Sequence, residues 1–316
     1  MHKAFARHET FHPRYGWLKK GYDAAASNPD VFLRGDAPVI LGVGKNMVRA
    51  IRYWCRAFKV LDEYPRPSQP RVQSAKPTQF GHALLDGDGW DPYLENPASL
   101  WLLHWYLLRP ECYAPAWSVV FNRAVSSTVS DQELLEVLFD ARNREPEWAD
   151  VADASLRKDR DCLIRMYAYQ SRRDGRPAED GLDSPFAELE LLQHIGGDGH
   201  HYAFQRGHAA SLPAEIVVCA CLDYMDFSGD ASAQMISMSR LALDEGAPGR
   251  VFRIGEEAVR ESVAACPDLA GRVQVVESVG GAQLVSHDDP AEVAWGLLDS
   301  FYRFGEPKDV NAGNST

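Results

Sequence analysis

The sequence predicts a mainly α-helical chain with small β-hairpins that opens with a winged helix-turn-helix. Three observations predict this fold: a basic amphipathic helix after a glycine-containing turn, a proline-rich ribbon that follows it, and a helix and hairpin near the C-terminus. Four parts are expected: a basic winged-helix DNA-binding domain at residues 1–97, a helical middle at 98–175, a winged-helix-like domain at 176–304 and a disordered tail at 305–316.

The predicted winged helix occupies the N-terminal part of the chain. A first helix is expected over residues 17–26, and a second begins after Asp36, its expected N-cap. A third helix spans 46–59. Strands at 60–61 and 71–74 then form the wing, joined by a loop that contains three prolines.

The third helix carries the strongest functional signal. Asn46 is its expected N-cap, and helical winding at about 100° per residue groups four apolar side chains on one face: Met47, Ile51, Trp54 and Phe58. Five cations fall within an arc of roughly 80° on the opposite side: Lys45, Arg49, Arg52, Arg56 and Lys59. An apolar face needs a core and a cationic face needs an anion, so the pattern predicts a DNA recognition helix. The alternative is an ordinary solvated face.

The charge distribution favours one docking surface for double-stranded DNA. Residues 1–76 hold 14 Lys and Arg against 6 Asp and Glu, whereas the whole chain has a net charge of −12. This asymmetry excludes a protein that coats nucleic acid generally, because DNA would repel the acidic remainder. Further expected DNA contacts are Asn46 of the third helix, Lys19 and Lys20 of the first helix, and Arg66 and Lys76 of the wing.

Composition predicts a cytoplasmic protein with two or three compact domains. The chain has 316 residues, no apolar run long enough to span a bilayer and no apolar stretch at its start typical of a signal peptide. Its six cysteines mostly lie in apolar periodic segments, as buried thiols do, so we expect no disulfides.

The rest of the chain is predicted to be helical up to a linker, with a mixed C-terminal part. Ser130 and Glu133 form a capping box. The elements expected are helices at 99–108, 116–125, 131–142, 155–169 and 255–265, a linker at 171–184, and a hairpin at 272–278 and 282–286. The helices at 131–142 and 155–169 could form a second helix-turn-helix, but Asp159 and Asp161 interrupt the basic face, which favours a scaffold role.

Several motifs suggest metal or nucleotide chemistry without meeting its geometry. His8-Glu9-Thr10-Phe11-His12 spells a zinc-protease signature, but Pro13 disfavours the helix which that site requires. The run 42–46 lacks the first glycine and the final Ser or Thr of a phosphate-binding loop, so we expect no nucleotide cofactor, and nothing suggests a flavin. Cys219 and Cys221 would point about 200° apart on a helix, which favours a core role. Residues 199–202 could ligate a metal but are better interpreted as a polar loop.

A cluster just ahead of the basic helix offers candidates for phosphodiester chemistry. Such hydrolysis needs a general base or a metal held by carboxylates, and a cation at the developing charge. His8 and Glu9 are candidates for the first part, and Arg14 and Lys19 for the second. The alternative is that Glu9 and Arg14 form a structural ion pair that fixes the N-terminal segment.

Two segments also carry a family resemblance. The first is His8-Glu9-Thr10-Phe11 followed by residues 14–21. The second is residues 41–49, with Trp54 at the expected spacing after them. In them the chain resembles the SspB family, the DNA-nicking subunits of bacterial Ssp DNA phosphorothioation systems. Weaker likeness continues through residues 91–94, 100–104 and 249–252. His12 departs from the family pattern, so it is not counted as catalytic.

The resemblance implies a role in replacing a non-bridging phosphate oxygen with sulfur during anti-phage defence. It implies a DNA-nicking endonuclease that opens one strand, and three sulfur-transfer partners: a cysteine desulfurase, an ATP pyrophosphatase and an ATPase. The chemistry of phosphodiester cleavage adds a divalent metal (Mg or Mn) as the expected cofactor, and the lack of a long apolar run predicts no membrane association. A homodimer is compatible with the sequence. The alternative function is a non-catalytic winged-helix regulator or adaptor that binds DNA and recruits partners through its acidic C-terminal part.

Overall fold

The protein is mainly helical with three small antiparallel sheets. The computed structural model describes residues 1–66, 69–124, 126–169, 184–197, 199–205, 207, 209–228, 234–266, 269 and 271–305. These residues form two compact units. The first contains 1–94 and 106–205, and the second contains 95–105 together with the described residues from 207 to 305. The four-part division expected from the sequence stays a prediction.

The predicted order of three helices and a two-stranded ribbon is confirmed in the first unit. Its elements are α1 (Trp17–Ser27), α2 (Ala37–Leu41), α3 (Lys45–Ala57), β1 (Leu61–Arg66) and β2 (Gln69–Pro77). The strands pair antiparallel from Leu61 opposite Pro77, with an irregularity between Pro65 and Arg66. Gly42 ends α2 in the left-handed region at φ 61°, which a glycine adopts without strain.

The details at the helix ends differ from the prediction. Asn46 is not the cap of α3, because Gly44 holds the N-cap position and the helix begins at Lys45. Asp36 stands at the N-cap of α2 as expected, but its carboxylate binds Arg34 (2.6 and 2.8 Å) instead of capping helix N–H groups.

The basic helix also ends two residues earlier than predicted. Lys59 has φ 58°, and the N–H groups of Lys59 and Val60 bond back to the carbonyls of Arg56 and Cys55. This pair of bonds is a Schellman motif, which turns the chain out of the helix and into β1. Lys59 therefore does not continue the helical stripe of cations.

The remaining elements of the first unit are short helices around a second small sheet. They are α4 (Gln79–Leu85), the end of α5 (Pro97–Leu108), α6 (Pro115–Arg123), β3 (Thr128–Ser130), α7 (Asp131–Arg144), α8 (Asp153–Tyr167), β4 (Leu192–Ile195) and β5 (His201–Phe204). The sheet order is β3-β5-β4. The capping box of Ser130 and Glu133 is confirmed. The polar loop predicted at 199–202 is wrong in its second half, because β5 begins at His201.

Aromatic side chains form the centre of the first unit. Trp54 of α3 is fully buried, and its ring lies edge-on to Trp117 of α6 at 5.3 Å between centroids. The Trp54 indole N–H donates to the carbonyl of Phe11 at 2.9 Å, so the polar atom of this ring is satisfied in the core. Phe58 stacks on Phe186 at 4.9 Å. These contacts fix the inner face of α3 and leave its cationic face outward.

The second unit combines helices with a three-stranded sheet of order β6-β8-β7. Its elements are most of α5, α9 (Ala214–Ser228), β6 (Met235–Ser237), α10 (Met238–Leu243), α11 (Pro248–Phe252), α12 (Glu256–Ala264), β7 (Val273–Ser278), β8 (Gly281–Ser286) and α13 (Pro290–Phe304). The predicted helix and hairpin are thus confirmed, with β6 as a third strand that the sequence did not indicate. Cys219 and Cys221 lie in the core of α9, and all six cysteines are buried free thiols.

Two further expectations concern linkers and membranes. The linker predicted at 171–184 lies outside the described residues except for Ser184, and so does the predicted tail beyond residue 305. Among the described residues, no helix is long and apolar enough to cross a membrane.

Gly21 offers a test of how tightly α1 packs on α3. A Cβ at this position would lie 2.4 Å from the Cys55 sulfur and 2.8 Å from a methyl of Ile51. We expect Gly21→Ala to lower the free energy of unfolding by about 1–3 kcal/mol through overpacking, despite the better helix propensity of alanine. Chemical denaturation followed by tryptophan fluorescence measures this.

The matched control is Gly296→Ala in α13, where nothing lies within 4 Å of the added Cβ. This variant gains about 0.5–1 kcal/mol, the usual benefit of replacing a helical glycine. Equal stabilisation by both substitutions would contradict the close packing of α1 on α3.

Candidate nucleic-acid interface

The two N-terminal cations of α3 are exposed, whereas its two C-terminal cations are neutralised. Lys45 and Arg49 are exposed, the Arg49 side chain to 56%. Arg52 and Arg56 instead share one carboxylate, that of Glu63 on β1, at 2.6 and 2.9 Å. The Glu63 side chain is only 8% exposed, so this charge is screened less than one on the open surface. The basic stripe is therefore strongest at the start of the helix.

Lys59 does not belong to this surface. Its ammonium group donates to the main-chain carbonyls of Tyr106 and Arg109, near the C-terminal end of α5. A lysine there satisfies carbonyls that the end of the helix leaves unpaired. The ammonium group of Lys59 is therefore engaged in these main-chain contacts and is not placed for the predicted phosphate contact.

The N-terminal segment before α1, residues 2–16, runs beside α3 and forms a cleft with it. The cleft has a volume of about 610 Å³. Its charged lining comprises Lys3, Arg7, Glu9, Arg49, Arg52, Arg56 and Glu63. Arg7 is exposed and has no polar partner among the described residues, whereas Lys3 pairs with Asp150. Five cations against two carboxylates give the cleft a positive potential, which we call the basic cleft hereafter.

His8 lies beneath the basic cleft and is fully buried. The Thr10 N–H donates to His8 Nδ1 at 3.1 Å, which places the proton of the neutral imidazole on Nε2. That Nε2–H donates to Asp159 Oδ1 of α8 at 2.7 Å. Rings of Tyr53, Trp54 and Trp117 surround the imidazole at centroid distances of 5.6 to 6.1 Å. His8 therefore ties the N-terminal segment to the core.

Asp159 completes this buried connection. Its Oδ1 also accepts the Ala6 N–H at 2.8 Å, while Oδ2 is buried and has no hydrogen-bond partner among the described residues. Burial raises the pKa of Asp159, and the hydrogen bond from His8 acts in the opposite direction. The sequence indicated Asp159 only as a break in a basic face, so its role as the anchor of His8 was not predicted.

The three candidate catalytic residues do not converge on one exposed site. Glu9 lies in the basic cleft and pairs with Arg49 at 3.4 Å, so the ion pair considered between Glu9 and Arg14 is not the one formed. The Arg14 guanidinium lies over the rings of Phe11 and Trp17 at 5.7 and 5.5 Å. With His8 buried, only Glu9 of the three is a lining residue of the cleft.

The other predicted DNA contacts lie outside the lining of the basic cleft. Lys19 pairs with Asp23 at 2.6 Å, whereas Lys20 is exposed and unpaired among the described residues. In the ribbon, Arg66 pairs with Asp30 at 2.6 Å. Lys76 is exposed, with its ammonium group 5.6 Å from the Tyr64 ring centroid.

Sequence reasoning missed several residues of the cleft. Lys3 and Arg7 entered the sequence analysis only through the net charge of residues 1–76. Tyr113 gave no signal, because nothing in the sequence places residue 113 beside α3. Glu63 had a usable signal, since alternation along a strand puts it on the same side as the buried Leu61. Such a position predicts a partly buried carboxylate that requires a cationic partner.

The described residues provide no preformed metal cage. Among them, no group of three or more His, Cys, Asp or Glu side chains is placed to hold a metal ion. Residues 8–10 form turns, with φ of 51° at Glu9 and 69° at Thr10, and residues 11 and 12 are irregular, so the two histidines do not share a helical face.

Comparisons with known proteins place the chain in a family. The model of the DUF4007 family, described as proteins of unknown function, matches residues 5–302. A crystal structure of SspB is similar with a TM-score of 0.87 and 44% identity, over 95% of this chain and 88% of that chain. A magnesium ion-bound SspB crystal structure is similar at 43% identity, with the same TM-score and coverage. No curated protein matches. The chain therefore belongs to the DUF4007 family and is a relative of SspB.

Proposed function

We propose that this protein is a DNA-binding and strand-nicking component of a DNA phosphorothioate-modification system, which opens the backbone for sulfur incorporation in anti-phage defence. Two likenesses to SspB support the proposal. The motifs at residues 8–21 and 41–49 resemble the SspB family, and the fold matches SspB at 44% identity over 95% of the chain. The basic cleft is the observation that carries the DNA-binding part.

The DNA-binding part of the proposal uses α1 to α3 and the β1-β2 ribbon as a winged helix-turn-helix, with α3 as the recognition helix. Lys45, Asn46 and Arg49 lie at the exposed start of α3, which is where a recognition helix meets base edges or phosphates. Lys20 of α1 and Lys76 of β2 supply further unpaired cations for the backbone.

Arg52 and Arg56 have a different part in this interface. Both already donate to Glu63, so a phosphate that reaches them competes with an intramolecular carboxylate. Displacing such a pair gives less net energy than engaging a free cation, because the guanidinium bonds are exchanged rather than created. We therefore assign most of the phosphate affinity to Lys45, Arg49 and Arg7.

A second candidate function is a non-catalytic DNA-binding adaptor or regulator. The burial of His8 favours it, because in this conformation the imidazole has no access to a phosphodiester. The described residues also lack a preformed metal cage, although a magnesium ion can be held by one or two carboxylates, water and substrate phosphates. Glu9 is the carboxylate that the basic cleft offers for that purpose.

The proposed partners follow from the charge distribution and from the likeness to SspB. Double-stranded DNA binds the basic face, and the acidic side chains of α12 (Glu256, Glu257 and Glu261) suit protein contacts better than phosphate contacts. In a phosphorothioation system such protein partners would be the cysteine desulfurase, the ATP pyrophosphatase and the ATPase. This assignment also implies a cytoplasmic location and leaves homodimer formation open.

Removing the two exposed cations at the start of α3 tests the interface. Each phosphate contact contributes about 0.9 to the slope of log K against log salt on duplex DNA. We expect the Lys45→Gln/Arg49→Gln double variant to bind duplex DNA more weakly, with a slope shallower by up to about 2. Fluorescence anisotropy of a labelled duplex across a salt series measures both quantities.

The charge-matched control is Arg240→Gln/Arg303→Gln in the second unit, where both side chains are also about half exposed. It removes two positive charges from the whole chain without touching the basic cleft, so the affinity and slope should stay near those of the wild type. Unchanged binding by a folded Lys45/Arg49 double variant would remove α3 as the recognition helix.

The nicking activity has its own test. The purified protein is incubated with supercoiled plasmid and Mg²⁺ or Mn²⁺, and the open-circle product is quantified by gel electrophoresis. We expect nicking by the wild type and a loss of nicking in the Lys45/Arg49 double variant in proportion to its weaker binding. Equal product from both would identify a contaminating nuclease, and no product from a wild type that binds DNA would establish the adaptor function.

A further inference from the structure

Tyr113 forms an aromatic platform at the wall of the basic cleft. The imidazole of His2 stacks on its ring with centroids 3.9 Å apart and planes 10° from parallel. The guanidinium carbon of Arg56 lies 4.1 Å from the same centroid. Two planar groups cannot both lie about 4 Å above one face, so Tyr113 is sandwiched between them. Phosphate binding by Lys45, Arg49 and Arg7 does not require this stack.

The platform is held in place by main-chain contacts. The Tyr53 hydroxyl donates to the carbonyl of Tyr113 at 3.2 Å, and the His2 N–H donates to the carbonyl of Cys112 at 3.0 Å. Tyr53 is itself buried in the core, so it positions Tyr113 from below. A preorganised ring of this kind costs little entropy when a planar group stacks on it.

His2 is the member of the stack that can be replaced. Its side chain is exposed and has no ion pair among the described residues, whereas Arg56 is held by Glu63 at 2.9 Å. Burial against the platform lowers the pKa of the His2 imidazole, and Arg56 acts in the same direction. The group stacked on Tyr113 opposite Arg56 is thus a neutral planar heterocycle. A nucleobase has the same shape and charge.

The cations of the cleft complete the requirements for a nucleotide. Arg7 has no polar partner among the described residues, and Arg49 has only the long 3.4 Å pair with Glu9. Both line the same cleft as Tyr113, whose volume of about 610 Å³ lies within the 300–1,000 Å³ that is common for small-molecule sites. Glu9 and Glu63 disfavour extra phosphates, so the cleft suits one nucleotide rather than a polyphosphate.

We propose that the basic cleft takes a single nucleotide extruded from duplex DNA, with its base stacked on Tyr113 in place of His2 and its phosphate on Arg7 and Arg49. This inference rests on the proposed DNA binding and adds a recognition step to it. An enzyme that acts on one position of a duplex gains selectivity when it reads an unstacked nucleotide, and the stacking of a base on an aromatic side chain tolerates any sequence.

The experiment compares a perfectly paired duplex, the same duplex with one extrahelical nucleotide, and the single strand. The wild type should bind the bulged duplex more tightly than the paired one, because the bulge has already paid the cost of unstacking. Tyr113→Leu should reduce binding of the bulged duplex about 5- to 150-fold, the range expected for loss of one stacked base, and leave the paired duplex unchanged. Tyr113→Phe should keep the preference.

A second measurement does not depend on a variant that folds. A 5-iodo-deoxyuridine at the extrahelical position should photocrosslink in the wild type to the peptide that contains Tyr113. A crosslink elsewhere, or a bulge preference that survives in Tyr113→Leu, would overturn the nucleotide site. Equal binding of paired and bulged duplexes by the wild type would overturn it while leaving the proposed DNA binding intact, and failure to bind any duplex would overturn the proposed function itself.

Discussion

The packing of Trp54 holds together everything that the basic cleft requires. Its indole donates to the carbonyl of Phe11 and lies against Trp117, and the His8 ring stacks beside it at 6.1 Å. One fully buried side chain thereby connects α3, α6 and the N-terminal segment. Because Trp54 faces the core, the cations of α3 face outward beside residues 2–9, and a change at Trp54 would move both walls of the cleft at once.

Electrostatic balance then decides which cations are available. Glu63 neutralises Arg52 and Arg56, and main-chain carbonyls bind Lys59, so among the described cations on and beside α3 the least neutralised are Lys45, Arg49 and Arg7. Glu63 also fixes Arg56 over Tyr113, which ties the aromatic platform to the same carboxylate. A protein with a net charge of −12 can dock on DNA only where such a local excess overcomes the general repulsion.

Local rules predicted much of the fold, and long-range contacts account for what they missed. Helix α1, the capping box at Ser130 and the hairpin of β7 and β8 follow from patterns within a few residues, and all three are confirmed. The partners of His8 and Arg52 could not be predicted in this way, because Asp159 lies 151 residues from His8 and the pairing of Arg52 with Glu63 depends on how β1 leaves α3. The basic stripe was visible in the sequence, but its neutralisation was not.

The proposed interface places duplex DNA on the start of α3 and the N-terminal segment beside it. Hydrogen–deuterium exchange with and without duplex DNA tests this most directly, since the first amides of α3 and those of residues 2–9 include groups outside regular helical bonding. If DNA docks there, exchange slows in residues 2–9 and 44–48 when DNA is bound and does not change in α12 and α13. Protection confined to the second unit, or no protection in residues 2–9 and 44–48 at saturating DNA, would contradict it.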